Sequence, residues 1–376
     1  MSAAPPVASP PRGPSSPVRP PRSADPVRPD GLGRTVRLPG GISFRVEPRA
    51  IGVAGVLVGL LLVLLVLAVG TGEYSIPPGD VVATLLGGGD AGTQFVVETL
   101  RLPRAITAIL VGAALGAAGA IFQSITRNPL GSPDVIGFTA GASAGALTVI
   151  VLFGGGAAAV AGGALGGGVV TAVLVYLLAF RGGEGVQGYR LVLVGIGLSF
   201  VLFAVRDYLL THAKLEQATV ANVWITGSLN GRGWEHVVPV GLALALLLPL
   251  AALMSRELRM MEMGDDAAVA LGVPVARARG GLLAIGVALT AVATASAGPV
   301  LFVALAAPQI GRRLTRATGP GVGSAALTGA VLLIGGDFAA QRVFADSQLP
   351  VGVVTGVAGG AYLIWLLYHE WRDGRA

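Results

Sequence analysis

Apolar residues gather into ten segments along this chain, and shorter polar or proline-containing stretches separate them. All but two of these segments approach the ~20 residues that a helix needs to cross a bilayer. They span residues 50–69, 106–124, 135–153, 157–180, 191–210, 237–254, 281–297, 300–310, 325–340 and 351–368. The eighth, which follows a break at Gly298–Pro299, and the ninth are the short ones. The pattern predicts an all-α, polytopic membrane protein with about ten transmembrane helices.

The first 49 residues differ from the rest because proline, serine and arginine dominate them. Eight prolines between Pro5 and Pro21 exclude a helix in that part of the segment. The segment also lacks the apolar surface that would offset the entropy lost on ordering. We therefore expect two regions: a disordered tail over residues 1–49 and a transmembrane domain over residues 50–376.

Composition excludes several classes of protein. Hydrophobic residues form 53% of the chain, charged residues form only 12%, and the mean hydropathy is +0.75. A soluble domain carries about twice that share of charge. The net charge of +6 could indicate nucleic-acid binding. The arginines lie mostly between apolar segments, however, so insertion in a membrane explains them better, and no nucleic-acid partner is expected.

The arginines also predict the orientation of the chain. With ten spans, both termini lie on one side of the membrane, and the loops on that side carry most of the positive charge. These arginines are Arg34, Arg37, Arg45, Arg49, Arg127, Arg181, Arg190, Arg256, Arg259, Arg277, Arg279, Arg312, Arg313, Arg316, Arg372 and Arg375. The opposite loops carry Arg101, Arg104, Lys214, Arg232 and Arg342. The bias predicts a multi-pass protein of the cytoplasmic membrane with both termini, and hence the tail, in the cytoplasm.

The sequence contains little that could catalyse a reaction. Its single lysine, Lys214, follows Ala213, so the chain lacks the Gly-Lys-Ser/Thr of a phosphate-binding loop. Any ATP-driven work must therefore come from a partner. The three histidines fall in different loops and there is no cysteine, which argues against a metal site. No nucleophile, base or metal constellation indicates an enzyme.

The most distinctive stretch runs from Arg101 to Ala146. It opens with Arg-Leu-Pro-Arg, continues as a helix with glycines at a spacing typical of closely packed membrane helices, and then breaks at a polar, proline-containing turn. The residues we assign to packing or to a translocation path are Gly112, Gly116, Gln123, Asn128, Pro129 and Gly141.

Residues 258–275 form a predicted cytoplasmic loop that contains a short helix. Two acidic residues follow a glycine near the positive end of this helix, an apolar face follows them, and a second glycine ends it. The residues concerned are Gly264, Asp265, Asp266, Ala268, Leu271 and Gly272. Physical reasoning alone leaves two interpretations open: an ordinary amphipathic loop helix, or an element that docks to a partner.

Several motifs occur together in one order. They are Arg-Leu-Pro-Arg, Gly-Ala-x-Leu-Gly-x-x-Gly, Phe-Gln, Arg-Asn-Pro-Leu, Pro-Asp, Gly-x-x-x-Gly-Ala and, later, Gly-Asp-Asp-x-Ala-x-x-Leu-Gly and Leu-Pro-Val-Gly-Val-Val-Thr. This combination resembles the permease subunits of bacterial ABC importers for iron–siderophores, haem and cobalamin. The resemblance covers about residue 50 to the C-terminus. It departs from the common pattern at Ala304, Gln309 and Gln348, and such departures are most similar to the second permease subunits of ferric-enterobactin importers.

The resemblance implies a type II ABC importer permease fold and a set of partners. These are two ATPase subunits that bind ATP and magnesium, an extracytoplasmic substrate-binding protein, and a homologous permease with which the chain forms a heterodimer. The chain itself would bind lipid but no cofactor or metal, and would not be an enzyme. The implied cargo is a ferric siderophore, with a catecholate favoured and cobalamin or haem as alternatives.

The resemblance also assigns roles to residues. The loop over residues 258–275 would be a coupling helix against an ATPase subunit. Arg101, Arg104 and Arg342 would dock glutamates of the binding protein, although counting from Asp337 places the third family arginine on Gln341. An ion-coupled secondary transporter is the less favoured alternative, because only Asp337 is a convincing carboxylate within an apolar span and a hydrogen-bonded structural role suits it better.

Overall fold

The computed structural model describes residues 34–37, 43–72, 74–181, 185–186, 188–316, 318–342 and 349–372. It separates into two units, Met1–Glu47 and Pro48–Ala376. In the first unit, strand β1 (Arg34–Arg37) pairs antiparallel with β2 (Ser43–Val46). The remainder of the tail that was predicted to be disordered, up to residue 42, lies outside the described residues. In the second unit, β3 (Phe180–Arg181) pairs antiparallel with β4 (Gly185–Val186).

The second unit is a helical bundle. Its helices are α1 (Pro48–Gly70), α2 (Pro78–Leu85), α3 (Ala91–Gln94), α4 (Leu102–Thr126), α5 (Phe138–Thr148), α6 (Ala157–Ala179), α7 (Gly188–His212), α8 (Leu215–Thr226), α9 (Trp234–Leu253), α10 (Ser255–Glu262), α11 (Asp265–Ala270), α12 (Val275–Ala297), α13 (Val303–Thr315), α14 (Val322–Ala340) and α15 (Val351–Arg372). Two π-helical segments, Phe95–Arg101 and Val149–Phe153, continue α3 into α4 and extend α5.

Nine of the ten predicted spans correspond to apolar helices in the described part of the chain. Seven helices are long and apolar enough to cross a membrane, and the segments Phe138–Phe153 and Val351–Leu366 are shorter apolar helices. The predicted eighth span is α13, which has 13 residues and therefore rises only ~20 Å against the ~30 Å of a hydrocarbon core. Glycine at position 298, with φ of +73°, ends α12 where the sequence predicted a break.

Helix α4 forms the centre of the bundle, and α9, α12, α13 and α14 pack around it. Most of its residues are buried, whereas the apolar residues of α1 are largely exposed, as in Val56 at 71%. An apolar exposed helix is stable only in a nonpolar solvent, so α1 has the character of a lipid-facing element.

Glycines allow α4 to approach its neighbours more closely than any other side chain would. A Cβ atom at Gly112 would lie 2.3 Å from the Gly329 carbonyl oxygen of α14, and one at Gly116 would lie within 2.1 Å of the Ala325 carbonyl oxygen. The Gly141 position on α5 packs equally tightly against Thr171 of α6. The glycine spacing in the sequence therefore corresponds to backbone-to-backbone packing, as in other membrane bundles.

Candidate functional site

The predicted site residues form three groups along the bundle. We call the end that carries the start of α4 the Arg101 end, and the end that carries α11 the Asp265 end. The polar turn that follows α4 begins beside the Asp265 end, where Arg127 lies 3.7 Å from Asp265.

At the Arg101 end, Arg104 forms a bidentate ion pair with the buried Asp337 of α14. Its Nε donates to Oδ2 at 3.0 Å and its Nη2 donates to Oδ1 at 2.8 Å. The two side chains are 14% and 2% exposed. Gln341 donates a further hydrogen bond to the same carboxylate, over 2.8 Å. The prediction that Asp337 is a hydrogen-bonded structural carboxylate is confirmed, and the pair ties α4 to α14.

The other two arginines of this end are bound to backbone oxygens. Arg101 donates to the carbonyls of Val69 and Tyr74, at 2.8 and 2.6 Å. Arg342 donates to the Phe338 carbonyl at 2.9 Å and lies 3.7 Å from the centroid of that residue's ring. Burial and the nearby Arg101 guanidinium lower the pKa of Arg342, while Asp337 opposes the shift.

The structure changes the interpretation of these arginines. The sequence suggested three free cations, but the Arg104 guanidinium already has a carboxylate partner within the chain. Its charge is compensated internally, so Arg104 is a poorer candidate for docking than Arg101 or Arg342. Gln341, the position on which counting from Asp337 places the third arginine of the family pattern, binds Asp337, whereas Arg342 binds the Phe338 carbonyl.

Side-chain hydrogen bonds hold the end of α4 and the polar turn after it against α13. Gln123 donates to the Leu305 carbonyl at 2.9 Å, and its carbonyl oxygen accepts from Arg312 at 2.7 Å. The Pro129 carbonyl accepts a 2.8 Å bond from Gln309, the residue that stands where histidine is common in the family pattern. Helix α13 thus holds both the last turn of α4 and the start of the polar turn.

Two further features shape the same turn. The Asn128 side chain accepts a 2.9 Å bond from the Leu130 backbone N–H, which closes the turn before Pro133. Arg127 ends α4 in the left-handed conformation, with φ of 50°. The predicted third span begins at Phe138 and not at residue 135, because Ser132–Gly137 remain in the turn.

At the Asp265 end, α10 and α11 are attached to the bundle by polar contacts. Arg279 of α12 donates to both oxygens of Asp265, at 2.7 and 2.8 Å, and its side chain is only 5% exposed. The Ser124 hydroxyl donates to Glu262 at 2.7 Å. From the sequence, Arg279 counted only among the loop arginines. Its position one helical turn inside α12 could have indicated that the side chain is buried, and a buried arginine requires a partner.

The short helix α11 buries and exposes different residues from those that the sequence suggests. The side chain of Ala268, which the resemblance includes in the coupling element, is completely buried in the bundle core and does not lie on the exposed face of this helix. Asp265 is directed toward Arg279 of α12, with which it forms the ion pair described above. Asp266 is exposed, as are the apolar side chains of Met263, Val269 and Leu271, at 59%, 61% and 57%.

Of the exposed apolar side chains Met263, Val269 and Leu271, only Leu271 is among the residues that the sequence predicts for the coupling element. The helix has two turns or fewer, and a pattern of that length does not distinguish inner from outer positions. The two flanking glycines of the element, Gly264 and Gly272, have φ of +116° and +81°. These values favour glycine and fix the tight turns at both ends.

Comparison with known proteins assigns the family. The model of the FecCD transport family matches residues 60–369. The chain belongs to this family. It is 47% identical over 302 residues to the ferric enterobactin transport system permease protein FepG of Escherichia coli, which covers 80% of this chain and 91% of that protein. It is 36% identical over 330 residues to the probable siderophore transport system permease protein YfhA of Bacillus subtilis, covering 86% and 96% of the two chains.

A solved structure supports the fold. A metal-chelate type ABC transporter in an inward-facing conformation matches with a TM-score of 0.76 and 27% identity, over 85% of this chain and 99% of that chain. The protein is therefore a multi-pass inner-membrane permease of an iron-chelate ABC importer, and a transport component rather than an enzyme.

Proposed function

We propose that this chain is a permease subunit of an importer for a ferric catecholate siderophore of the enterobactin type. The identity of 47% to the ferric enterobactin permease carries this proposal. Relatives with other cargo names are more distant, such as the Fe(3+)-citrate permease YfmE of Bacillus subtilis at 36% and the dicitrate permease FecD of Escherichia coli at 34%. Cobalamin and haem are the alternative cargoes.

The proposal places the Arg101 end outside the cytoplasm, where a substrate-binding protein docks. Arg101 and Arg342 then supply the positive charge that recognises glutamates on that protein, since arginine suits charge-assisted pairing with carboxylates. Arg104 holds the docking surface together through Asp337, over a distance of 2.8 Å. Both termini, and the tail over residues 1–49, then lie in the cytoplasm.

The proposal places the Asp265 end against an ATPase subunit. The exposed side chains of Met263, Asp266, Val269 and Leu271 form the contact, because apolar side chains exposed on a short helix at the end of a bundle are suited to a groove on a partner. Asp265 and Ala268 transmit the movement, since the ion pair with Arg279 and the buried methyl group fix α11 to α12.

The assembly we propose contains four membrane-associated subunits and one binding protein. A homologous but different permease completes the translocation path, and two ATPase subunits bind ATP and magnesium and supply the energy. This chain binds no cofactor in that scheme.

ATP-dependent uptake by the reconstituted complex tests the proposal. The chain, a homologous permease, the ATPase and the binding protein are placed in liposomes, and uptake of radioactive ferric enterobactin is followed. We expect uptake that requires ATP, the binding protein and both permeases. Uptake of cobalamin or haem in preference to the catecholate would contradict the proposed cargo, and full activity with two copies of this chain alone would contradict the heterodimer.

A further inference from the structure

A cavity of about 390 Å³ opens at the Arg101 end of the bundle, apart from the docking arginines. It lies between the start of α6, helix α8 and the turn before α9, and Trp224, Arg232 and His236 contribute to its wall. A hydrogen bond of 3.0 Å from the Trp234 indole to the Glu98 carbonyl shows that the turn before α9 shares this end with the start of α4. The volume is that of a small-molecule site.

Arg232 is the cation of this cavity, and its protein partners are uncharged. Its Nε donates to the Ser228 carbonyl at 3.3 Å, and its Nη1 donates to the His236 Nε2 at 3.0 Å. Because Nε2 accepts this bond, the ring is neutral and carries its proton on Nδ1, 3.2 Å from a Glu235 oxygen. Among the described residues, no carboxylate oxygen lies within the 4.0 Å of an ion pair with Arg232.

Arg232 differs from Arg104 and Arg279 in having only uncharged partners. Arg101, Arg312 and Arg342 share that feature, since each binds uncharged oxygens, but Arg232 is the one that lines this cavity. Arg104 and Arg279 are buried and each binds an aspartate, at 2.8 and 2.7 Å. Burial lowers the pKa of Arg232, and the charge of Glu235 only partly offsets this effect. A partly desolvated cation without an anionic partner is costly, so its presence at the wall of a cavity indicates an anionic ligand.

Aromatic and polar neighbours narrow the chemistry of that ligand. Trp224 is 9% exposed and lines the cavity, which provides an apolar ring for stacking. Gln217 lines the same wall and is held there by a 3.2 Å bond from its amide to the Val151 carbonyl. Glu216 also lies at the cavity, but its side chain is exposed, so solvent screens its charge.

We propose that this cavity is a subsite for one anionic aromatic arm of a ferric catecholate chelate as the chelate enters the permease. The inference rests on the proposed function and assigns a binding site for one part of the proposed cargo. The Arg232 guanidinium donates to the iron-bound oxygens of the arm, and the Trp224 ring packs against its aromatic face. A cavity of this size accommodates one arm and leaves the rest of the chelate in the path shared with the second permease.

The test compares two chelates that differ in charge and not in shape. Ferric enterobactin and the germanium(IV) complex of the same siderophore have the same arrangement of arms, but the germanium complex carries one negative charge fewer. Uptake of both is measured in the complete reconstituted importer at limiting chelate concentration. The variants are Arg232→Gln, Arg232→Lys and, as the matched control, Arg206→Gln, which removes an arginine from α7 outside the cavity.

We expect the wild-type importer to prefer the iron chelate and Arg232→Gln to lower iron-chelate uptake about tenfold, as the loss of a charge-assisted hydrogen bond requires. The same variant should largely remove the preference for iron over germanium, whereas Arg232→Lys and Arg206→Gln should retain it. Equal uptake of the two chelates by the wild-type importer would overturn the proposal, even if Arg232→Gln failed to assemble.

Two further outcomes distinguish the chelate subsite from a lipid site and from a wrongly proposed cargo. If the effect of Arg232→Gln vanished in liposomes made only of zwitterionic lipid, the occupant would be a lipid headgroup and the proposal would be wrong. If the wild-type importer transported a different chelate and no ferric enterobactin, the proposed function would fail. Normal ferric enterobactin uptake by an assembled Arg232→Gln importer would refute the subsite alone.

Discussion

Substitution of Gly116 by alanine tests the packing at the centre of the bundle. The new Cβ atom would lie 2.1 Å from the Ala325 carbonyl oxygen and 2.8 Å from its carbonyl carbon, where ordinary contacts begin at 3.4 Å. Because these neighbours are backbone atoms of α14, no rotamer change relieves the overlap. Helices α4 and α14 must therefore move apart by about 1 Å along the contact between them. This contact is the most extensive between two helices in the described part of the chain.

The magnitude follows from two opposing effects. Overpacking of a tight core costs ~1–3 kcal/mol, and more where only backbone can move. Alanine gains up to ~1 kcal/mol over glycine in a helix. Because only backbone atoms can move here, the cost lies at the upper end of the overpacking range, and we expect a net loss of about 2 kcal/mol for Gly116→Ala. Gly59 of α1 is the matched control, because a Cβ there would have no heavy atom within 4 Å. Gly59→Ala should leave stability unchanged or raise it slightly.

Thermal unfolding of the two purified variants in the same detergent, followed by tryptophan fluorescence, gives the comparison. Gly116→Ala should unfold several degrees below Gly59→Ala. If the two variants unfolded at the same temperature, the close contact between α4 and α14 would be wrong, and the glycine spacing would have another cause.

Three further predictions concern the ends of the bundle. Asp337→Asn should lower stability by ~3–5 kcal/mol in a thermal assay, because it leaves the Arg104 charge buried without its carboxylate; unchanged stability would show that the pair is not formed. Val269→Asp should reduce binding-protein-stimulated ATP hydrolysis while thermal stability stays at the wild-type value, since this side chain is 61% exposed; normal stimulation would exclude α11 as the ATPase contact. The natural chain lacks cysteine, so Gly156→Cys should react with an impermeant maleimide from outside the cell and Asp266→Cys should react only after permeabilisation; the reverse result would invert the proposed topology.

The apolar segments predicted most of the fold because membrane helices are recognisable by their length and hydropathy. The spans over residues 50–69 and 157–180 correspond closely to α1 and α6. The eighth span was harder to predict from the sequence, since the helix Val303–Thr315 is short and carries arginines in its last turn. Its half-length form depends on packing against α4 and α14, which no local pattern records.

The candidate sites were predicted less completely, because side-chain partners are distant in sequence. Arg104 and Asp337 are separated by 233 residues, and nothing local to either residue indicated that they pair. The same holds for Gln309 and Pro129, which are 180 residues apart. In contrast, the offset between Gln341 and Arg342 was visible when the family pattern was counted from Asp337, and it matters because one residue turns a helix by about 100°.

Iron uptake by a deletion strain tests whether this permease serves a ferric catecholate. Cells that lack this gene, and the same cells with it restored, are given radioactive iron bound separately to enterobactin, citrate and a hydroxamate. We expect enterobactin-dependent uptake to be lost on deletion and to return with the gene, while uptake with citrate and the hydroxamate does not change. Loss of citrate or hydroxamate uptake with enterobactin uptake intact would contradict it.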